Sequence, residues 1–255
     1  MLTGKTALVT GAARGLGEGI AREMAAQGAR VTLVDILDAE GRAVEADIEA
    51  LGQEARYIHC DITDMTAIGH TVADAEEAFG PLDILVNNAA IALPPVPITE
   101  MTETDFLRVL DVNVASIYRF CNATFNGFRA RGGGVTINLS SVHQSHSLEG
   151  WSAYAASKGA IVSITRQLAA EWGPHNIRVN SISPGAIDAT MTRDILNRDE
   201  TGKLEKQFKH MHALERMGRT EEVGKTAAFL ASDGAGFITG EDILIDGGLT
   251  KVCRL

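Results

Sequence analysis

The chain has 255 residues, of which 45% are hydrophobic and 22% charged, a composition typical of a globular protein that can bury a large core in one domain. Its formal net charge of -10 argues against a nucleic-acid partner, because binding a phosphate backbone requires clustered Lys and Arg. No opening segment has the features of a signal peptide and no apolar run is long enough to cross a membrane. We therefore expect a soluble cytoplasmic protein without a membrane partner.

The three cysteines are scattered along the chain, at Cys60, Cys121 and Cys253. They are odd in number and have no histidine nearby at a metal-ligand spacing. We interpret them as incidental or buried thiols, and we expect no metal site.

Seven short β-branched or apolar runs alternate with stretches of helical spacing, as in Leu16, Ile20 and Met24. This βα alternation predicts one Rossmann-type α/β domain over residues 1–255, a doubly wound seven-stranded parallel sheet with helices on both faces. The predicted strands are Thr6–Thr10, Arg30–Val34, Ala55–His59, Leu82–Val86, Gly134–Leu139, Ile177–Ser181 and Asp242–Ile245.

Two stretches depart from this regular pattern. The first, Ile91–Pro97, carries three prolines, and the second, residues 186–217, is polar and helix-like. Both are typical of loops, and we expect residues 186–217 to form a mobile lid over a substrate.

A glycine-rich segment follows the first predicted strand and opens a helical pattern near Arg14. Glycines here let the backbone turn sharply and approach a pyrophosphate, whose charge the free N–H groups at a helix start attract. The segment therefore predicts a dinucleotide site. It reads Thr10-Gly11-Ala12-Ala13-Arg14-Gly15-Leu16-Gly17, and Gly11, Arg14, Gly15, Leu16 and Gly17 are its candidate contacts.

The choice of dinucleotide depends on Asp35, at the end of the second strand. An acid at this place accepts hydrogen bonds from both adenosine ribose hydroxyls and repels a 2′-phosphate, which favours NAD. Arg14 argues for NADP, since its guanidinium could hold that phosphate. The alternatives for Arg14 are a solvated residue or a partner of Asp35. We predict NAD, with NADP the less favoured cofactor.

Several segments together resemble the short-chain dehydrogenase/reductase family in order and spacing. The resemblance covers essentially the whole chain and implies a hydride-transferring oxidoreductase of alcohols and carbonyls, commonly a homotetramer. In that family subunits associate through the helices that here contain Asn113 and Tyr154, and through the last strand. The matching segments are Thr10-Gly11-x-x-x-Gly15-x-Gly17, Asn87-Asn88-Ala89-Ala90, Asn113, Ser141, Tyr154-x-x-x-Lys158, Pro184-Gly185 and Asp246-Gly247-Gly248.

Tyr154 and Lys158 are the candidate acid/base pair. They are four residues apart in a strongly helical segment, Ser152–Trp172, so both project from one face. A phenol is a poor base at neutral pH, and a neighbouring ammonium together with an oxidised nicotinamide ring favours phenolate. Tyr154 can then take the alcohol proton as hydride leaves carbon.

Ser141 follows the fifth strand and is the candidate group that holds the substrate oxygen. Strand alternation sends the side chain of its neighbour Ser140 to the other face, and the family spacing selects Ser141. By the same resemblance, Asn113 bends its helix and holds a water that links Lys158 to solvent.

The resemblance also implies further cofactor contacts along the strand ends. Asp61 and Ile62 would meet the adenine ring, and Asn88 and Ala89 would lie along the cofactor, with the Asn88 side chain alternatively bracing the sheet. Pro184, Gly185 and Ile187 would meet the nicotinamide carboxamide. Where many members carry Thr, this chain has Ala189 followed by Thr190, so Thr190 is the candidate for that hydroxyl.

The substrate is predicted from residues 142–153, which join Ser141 to Tyr154. His143, His146 and Trp151 would suit a small polyol, sugar or hydroxy compound, with Trp151 stacking on a sugar ring. These side chains could instead face solvent or another subunit, and cations of the lid, Arg193, Arg198 and Lys203, leave a carboxylated substrate open. The alternatives are a dehydrogenase of steroid-like or other hydrophobic carbonyls, a Rossmann-type methyltransferase and a non-catalytic nucleotide-binding protein.

Overall fold

The computed structural model describes residues 1–199 and 201–252, so Cys253 lies outside the described residues. Its centre is a seven-stranded sheet. The strands are β1 (Thr6–Thr10), β2 (Arg30–Asp35), β3 (Ala55–His59), β4 (Ile84–Asn87), β5 (Gly134–Leu139), β6 (Ile177–Pro184) and β7 (Asp242–Ile245).

All paired strands of this sheet run parallel, in the order β3-β2-β1-β4-β5-β6-β7. The strand order reverses between β1 and β4, which is where doubly wound sheets open a crevice for ligands. The predicted fold class is thereby confirmed.

Helices cover both faces of the sheet. They are α1 (Gly15–Ala26), α2 (Asp38–Ala50), α3 (Met65–Phe79), α4 (Glu103–Leu110), α5 (Ser116–Ala130), α6 (Ser152–Trp172), α7 (Thr190–Leu196), α8 (Lys203–His210) and α9 (Thr220–Ala231). Apolar residues of α1, α2 and α9 pack with one side of the sheet, and those of α3, α5 and α6 pack with the other. Adjacent residues of β1 point to opposite faces of the sheet: Val9 lies on the face covered by α1, α2 and α9, and Leu8 lies on the face covered by α3, α5 and α6.

Three predicted strands have different bounds in the structure. β4 spans Ile84–Asn87 rather than Leu82–Val86, because its pairing with β1 begins at Ile84. β2 extends to Asp35, which pairs with His59 of β3. β6 extends to Pro184, because its last four residues pair with all of β7. Periodicity does not reveal these ends, since partners distant in sequence determine them.

The segment predicted as a lid contains α7 and α8, and its two ends are joined to each other. Ile187 forms an isolated parallel bridge with Gly218. Gly218 donates its N–H to the Ala186 carbonyl oxygen at 2.9 Å, and Asp188 donates to the Gly218 carbonyl oxygen at 2.8 Å. These bonds hold the start and the end of the segment next to each other at the carboxyl end of β6.

Among the described residues, no helix combines the length and the apolar character needed to span a membrane.

Candidate active site

A cavity of about 850 Å³ opens where the strand order reverses. Its size is within the range typical of small-molecule and cofactor sites. The cavity is lined by nearly all the predicted cofactor and catalytic residues, namely Gly11, Arg14, Gly15, Leu16, Gly17, Asp35, Asp61, Ile62, Asn88, Ala89, Ser141, Tyr154, Lys158, Pro184, Gly185, Ile187 and Thr190.

The glycine-rich turn after β1 has the close backbone packing that a phosphate cradle requires. Gly11 has a φ of 66° and Gly15 a φ of 63°, conformations that side chains disfavour. A Cβ atom on Gly17 would lie 2.0 Å from the Gly11 carbonyl oxygen. The first turn of α1 therefore meets the end of β1 directly and presents its free N–H groups to the cavity.

Asp35 lies beside the glycine-rich turn. Its Oδ2 accepts the Ala13 N–H at 3.0 Å, and its Oδ1 accepts the Ile36 N–H at 2.8 Å and the Leu37 N–H at 3.2 Å. These bonds hold the carboxylate at the cavity wall. Arg14 also lines the cavity and is exposed, and no ion pair joins it to Asp35 among the described residues.

The predicted adenine contacts lie after β3. Ile62 is buried at the cavity wall, and Asp61 is exposed there. The Thr63 N–H and hydroxyl both donate to Asp61 Oδ1, which holds the pKa of that carboxyl below its usual range. Asp61 is thus an ionised acceptor at neutral pH.

The Asn88 side chain braces the sheet, one of the two roles open for it. Its Nδ2 donates to the Thr10 carbonyl oxygen at 2.8 Å and to the Gly11 carbonyl oxygen at 3.2 Å. Thr10 Oγ1 in turn accepts the N–H groups of Asn88 and Ala89, at 3.0 and 3.1 Å. These bonds tie the ends of β1 and β4 together behind the glycine-rich turn.

Ser141, Tyr154 and Lys158 meet at the other end of the cavity. The Ser141 side chain lies beside the Tyr154 hydroxyl and lowers its pKa, although the two residues come from a loop after β5 and from α6. Lys158 Nζ lies 5.3 Å from the centre of the Tyr154 ring and donates to the Leu139 carbonyl oxygen at 2.7 Å. Ser140 is turned away, with its hydroxyl donating to the Lys158 carbonyl oxygen at 2.9 Å.

Burial opposes the charge of both titratable groups. It raises the pKa of Tyr154 to about 12, against the lowering effect of the Ser141 side chain. It lowers the pKa of Lys158 to about 7. Ionisation of Tyr154 near neutral pH therefore requires additional positive charge in the cavity.

Asn113 lies in a single π-helical turn, Asp111–Ala115, between α4 and α5. Its side chain is buried and fully engaged: Oδ1 accepts the Ile91 N–H at 2.8 Å, and Nδ2 donates to the Ile91 carbonyl oxygen at 3.0 Å and to Ser157 Oγ at 3.1 Å. Such turns distort helices, and they occur often at functional sites. Asn113 therefore joins the loop after β4 to the helix that carries Tyr154 and Lys158.

Pro184, Gly185 and Ile187 form the cavity wall where β6 ends and the segment predicted as a lid begins. Thr190 begins α7, and its Oγ1 lies 3.2 Å from where a Cβ atom on Gly15 would stand. Its hydroxyl is thus beside the glycine-rich turn.

The three predicted substrate residues are not among those that line the cavity. His143 packs edge-on against the rings of Trp151 and Tyr154, with centroids 5.7 and 5.5 Å away. Its Nδ1 is buried and makes no hydrogen bond within the described ranges, and burial lowers its pKa. His146 is exposed and bonded to Ser145. Of these three residues, His143 has the ring nearest to that of Tyr154, at 5.5 Å against 5.8 Å for Trp151.

Several cavity residues were not predicted from the sequence. Arg108 and Asp111 come from α4 and the π-helical turn, and Thr192 and Asp194 come from α7. None of these four residues belongs to a recognisable motif. Their helices come to the cavity through tertiary packing, which the sequence pattern does not reveal. Within the described ranges, no cluster of three or more His, Cys, Asp or Glu residues could hold a metal ion.

This chain is similar to oxidoreductases over nearly its full length. Residues 11–250 match the family model described as Enoyl-(Acyl carrier protein) reductase. The Short-chain reductase protein NovJ of Streptomyces niveus is 38% identical over 95% of this chain and 92% of its own. The 3-alpha-(or 20-beta)-hydroxysteroid dehydrogenase of Mycobacterium tuberculosis is 38% identical over 97% of this chain and 90% of its own.

A solved structure shows the same similarity in three dimensions. A protein of Agrobacterium tumefaciens, provisionally assigned as a gluconate dehydrogenase, superposes with a TM-score of 0.94 at 30% identity, over 99% of this chain and 98% of that one. Together with the cavity and its residues, these similarities define an oxidoreductase that binds a nicotinamide cofactor. The chain belongs to the short-chain dehydrogenase/reductase family.

Proposed function

We propose that this protein transfers hydride between NAD(H) and a secondary alcohol or ketone, with Tyr154 as acid/base. The observation that carries the proposal is that the pair Ser141 and Tyr154 lines the same cavity as the glycine-rich turn, with Lys158 Nζ 5.3 Å from the centre of the Tyr154 ring. A non-catalytic nucleotide-binding protein or a methyltransferase would have no need for this pair beside Lys158.

The residues present fit a nicotinamide dinucleotide. The glycine-rich turn would hold its pyrophosphate, Asp35 its adenosine ribose, and Pro184, Gly185 and Ile187 its nicotinamide end. When bound, the oxidised ring supplies the hydride acceptor and a positive charge. That charge is what ionisation of the buried Tyr154 requires, and Lys158 adds to it when protonated.

In the direction of oxidation, Tyr154 takes the proton of the substrate hydroxyl while Ser141 holds the substrate oxygen. Asn113 and Ser140 act on this chemistry through Lys158 and α6, which they support. NAD is favoured over NADP because the Asp35 carboxylate lies at the cavity wall, although the exposed Arg14 leaves NADP as the alternative.

We further propose a small polar substrate, such as a polyol, a sugar or a hydroxy compound. In support, the lid contributes Thr192 and Asp194 to the cavity wall, and His143 keeps a buried ring nitrogen without a partner in the described ranges. The alternative is a steroid-like carbonyl, which the name of the mycobacterial relative favours.

A homotetramer in the cytoplasm completes the proposal. Phe237, in the segment that precedes β7, has a relative exposure of 104%, while Leu107 on α4 and Tyr118 on α5 are also exposed. By the family resemblance, subunits would associate through the helices next to Asn113 and through the last strand, so exposed apolar residues near these elements support the proposal. The thiols of Cys60 and Cys121 are free and buried, as in proteins of reducing compartments.

Initial rates with NAD and NADP over polyols, sugars, hydroxy acids and hydroxysteroids test the reaction and the substrate class together. We expect a rise in absorbance at 340 nm with NAD and a polar alcohol. Efficient oxidation of a hydroxysteroid, with no rate on any polyol or sugar, would overturn the polar substrate. Absence of turnover with every alcohol and with both cofactors would overturn the activity.

A further inference from the structure

His212 lies behind the cavity wall, between the lid and the end of β6. It follows α8 and has a relative exposure of 1%, without lining the cavity itself. Its Nδ1 is 2.6 Å from the Phe208 carbonyl oxygen, and its Nε2 is 3.2 Å from the backbone nitrogen of Ala186. One buried imidazole thus joins the end of the lid to the turn that leaves β6.

The two backbone partners determine the form of the ring. A backbone N–H can only donate, so His212 Nε2 must accept from Ala186 and carries no hydrogen. A carbonyl oxygen can only accept, so Nδ1 carries the hydrogen and donates to Phe208. The neutral tautomer protonated at Nδ1 is the form that satisfies both partners.

The glycines around this ring leave room for it. A Cβ atom on Gly185 would lie 2.9 Å from His212 Nε2, and one on Gly247 would lie 3.4 Å from its Cδ2. A larger residue at Gly185 would therefore displace either the ring or the wall of the cavity.

Residues on both sides of Ala186 face the cofactor cavity. Gly185 and Ile187 line it, while the Ala186 N–H is directed to the histidine behind. The Ala186 carbonyl oxygen accepts from Gly218, so both backbone polar groups of Ala186 are hydrogen-bonded, one to His212 and one to Gly218. The orientation of the wall at Gly185 and Ile187 is thus coupled to the position of His212.

We propose that His212 is a positioning residue, which holds residues 185–187 in the orientation that receives the nicotinamide half of the cofactor. The inference rests on the proposed function for the occupant of the cavity. A change at His212 should affect binding of the nicotinamide half and not of the adenosine half. Among the described residues, no hydrogen bond of Asp35 reaches His212.

Two substitutions distinguish the acceptor role of His212 Nε2 from the donor role of His212 Nδ1. His212→Gln offers an amide oxygen to Ala186, whereas His212→Asn retains a donor for Phe208 but is too short to accept from Ala186. His210→Ala is the matched control, since His210 is an exposed histidine at the end of the same helix. Melting temperatures verify that each variant is folded.

The first measurement is hydrogen–deuterium exchange of the peptide that contains Ala186, without cofactor. We expect exchange at Ala186 to accelerate in His212→Asn and to stay near wild type in His212→Gln and His210→Ala. The second is calorimetric binding of NADH and of ADP-ribose, which lacks the nicotinamide. His212→Asn should lower the affinity for NADH by about tenfold, as expected for a lost hydrogen bond, and leave the affinity for ADP-ribose unchanged.

Unchanged exchange at Ala186 in His212→Asn would overturn the inference, as would equal losses for NADH and ADP-ribose. If His212→Asn does not fold, His212→Gln decides: wild-type exchange and NADH affinity support the inference, and loss of either overturns it. Failure of the wild-type protein to bind NADH would instead overturn the proposed cofactor, while the exchange result at Ala186 would stand.

Discussion

Lys158 donates its side-chain ammonium hydrogen to the carbonyl oxygen of Leu139, at 2.7 Å, inside the protein. The group has little contact with solvent, and burial lowers its pKa to about 7. The ammonium of Lys158 is thereby held in surroundings that disfavour its charge, which lowers the stability of the folded protein.

We expect Lys158→Met to change the dependence of stability on pH. In wild type, the folded pKa of Lys158 is depressed, so the unfolded chain binds more protons than the folded one between about pH 7 and the unfolded pKa of 10.5. The resulting destabilisation is full below pH 7 and disappears as the pH rises through that window. The melting temperature of Lys158→Met relative to wild type should thus be highest near pH 6 and decline towards pH 10.

The loss of the bond to Leu139 also lowers the stability of Lys158→Met, but by an amount that does not vary with pH. The test is therefore how the difference in melting temperature between Lys158→Met and wild type changes with pH, measured by thermal melting at several pH values. A difference in melting temperature that stays constant from pH 6 to pH 10 would contradict the prediction. Lys225→Met on α9 is the control, because Lys225 is exposed to solvent whereas Lys158 is buried.

Tyr154→Phe removes the hydroxyl that we propose exchanges a proton with the substrate, and it leaves the ring in place. We expect kcat to fall by about 10²–10⁴-fold, the usual contribution of a general acid/base. Binding of NADH should change little. The measurements are initial rates and calorimetric titration, with the exposed Tyr118→Phe as control. Substantial activity in Tyr154→Phe would assign the proton transfer to another residue.

Asp35→Ala should lower kcat/KM with NAD and raise it with NADP, because it removes both the ribose acceptor and the negative charge. Asp35→Asn separates these effects. It retains an acceptor for the Ala13 N–H, so that a similar gain with NADP would identify charge as the cause. The ratio of kcat/KM for the two cofactors is the measurement. A wild-type preference for NADP would show that Arg14 outweighs Asp35.

Asn113→Ala should destabilise the protein by about 1–3 kcal/mol, because it removes the buried bond to Ser157 and leaves the part-buried N–H and carbonyl oxygen of Ile91 without this partner. Denaturant unfolding measures this change. Asn122→Ala on the same side of the sheet is the control, since Asn122 is exposed and its loss should lie within about 0.5 kcal/mol. Equal stability of the two variants would mean that the bonds of Asn113 contribute nothing.

Phe237→Asp should shift the protein from the proposed tetramer towards a smaller assembly, because it replaces a fully exposed apolar side chain in the segment before β7 with a charge. Multi-angle light scattering measures the mass in solution. A wild-type mass of 27.1 kDa would show a monomer and refute the tetramer before any substitution is made.

The sequence by itself determined the fold class and the residues of the glycine-rich turn and of the Ser141, Tyr154 and Lys158 group that line the cavity. The spacing of apolar residues predicted α6 at the bounds that the structure has, Ser152–Trp172, and placed Tyr154 and Lys158 on it. The glycine-rich turn was recognisable because a strand, three glycines and a helix follow one another directly. Such features are local, so nearby residues suffice to define them.

The tertiary structure alone decided which residues meet across the chain. It extended β6 to Pro184 through pairing with β7, and it brought His212 behind Ala186. It also placed His143 against Tyr154 rather than along the cavity. These contacts join elements that are distant in sequence, and their geometry depends on how helices and loops pack on the sheet. No periodicity or motif encodes that packing in the residues of one segment.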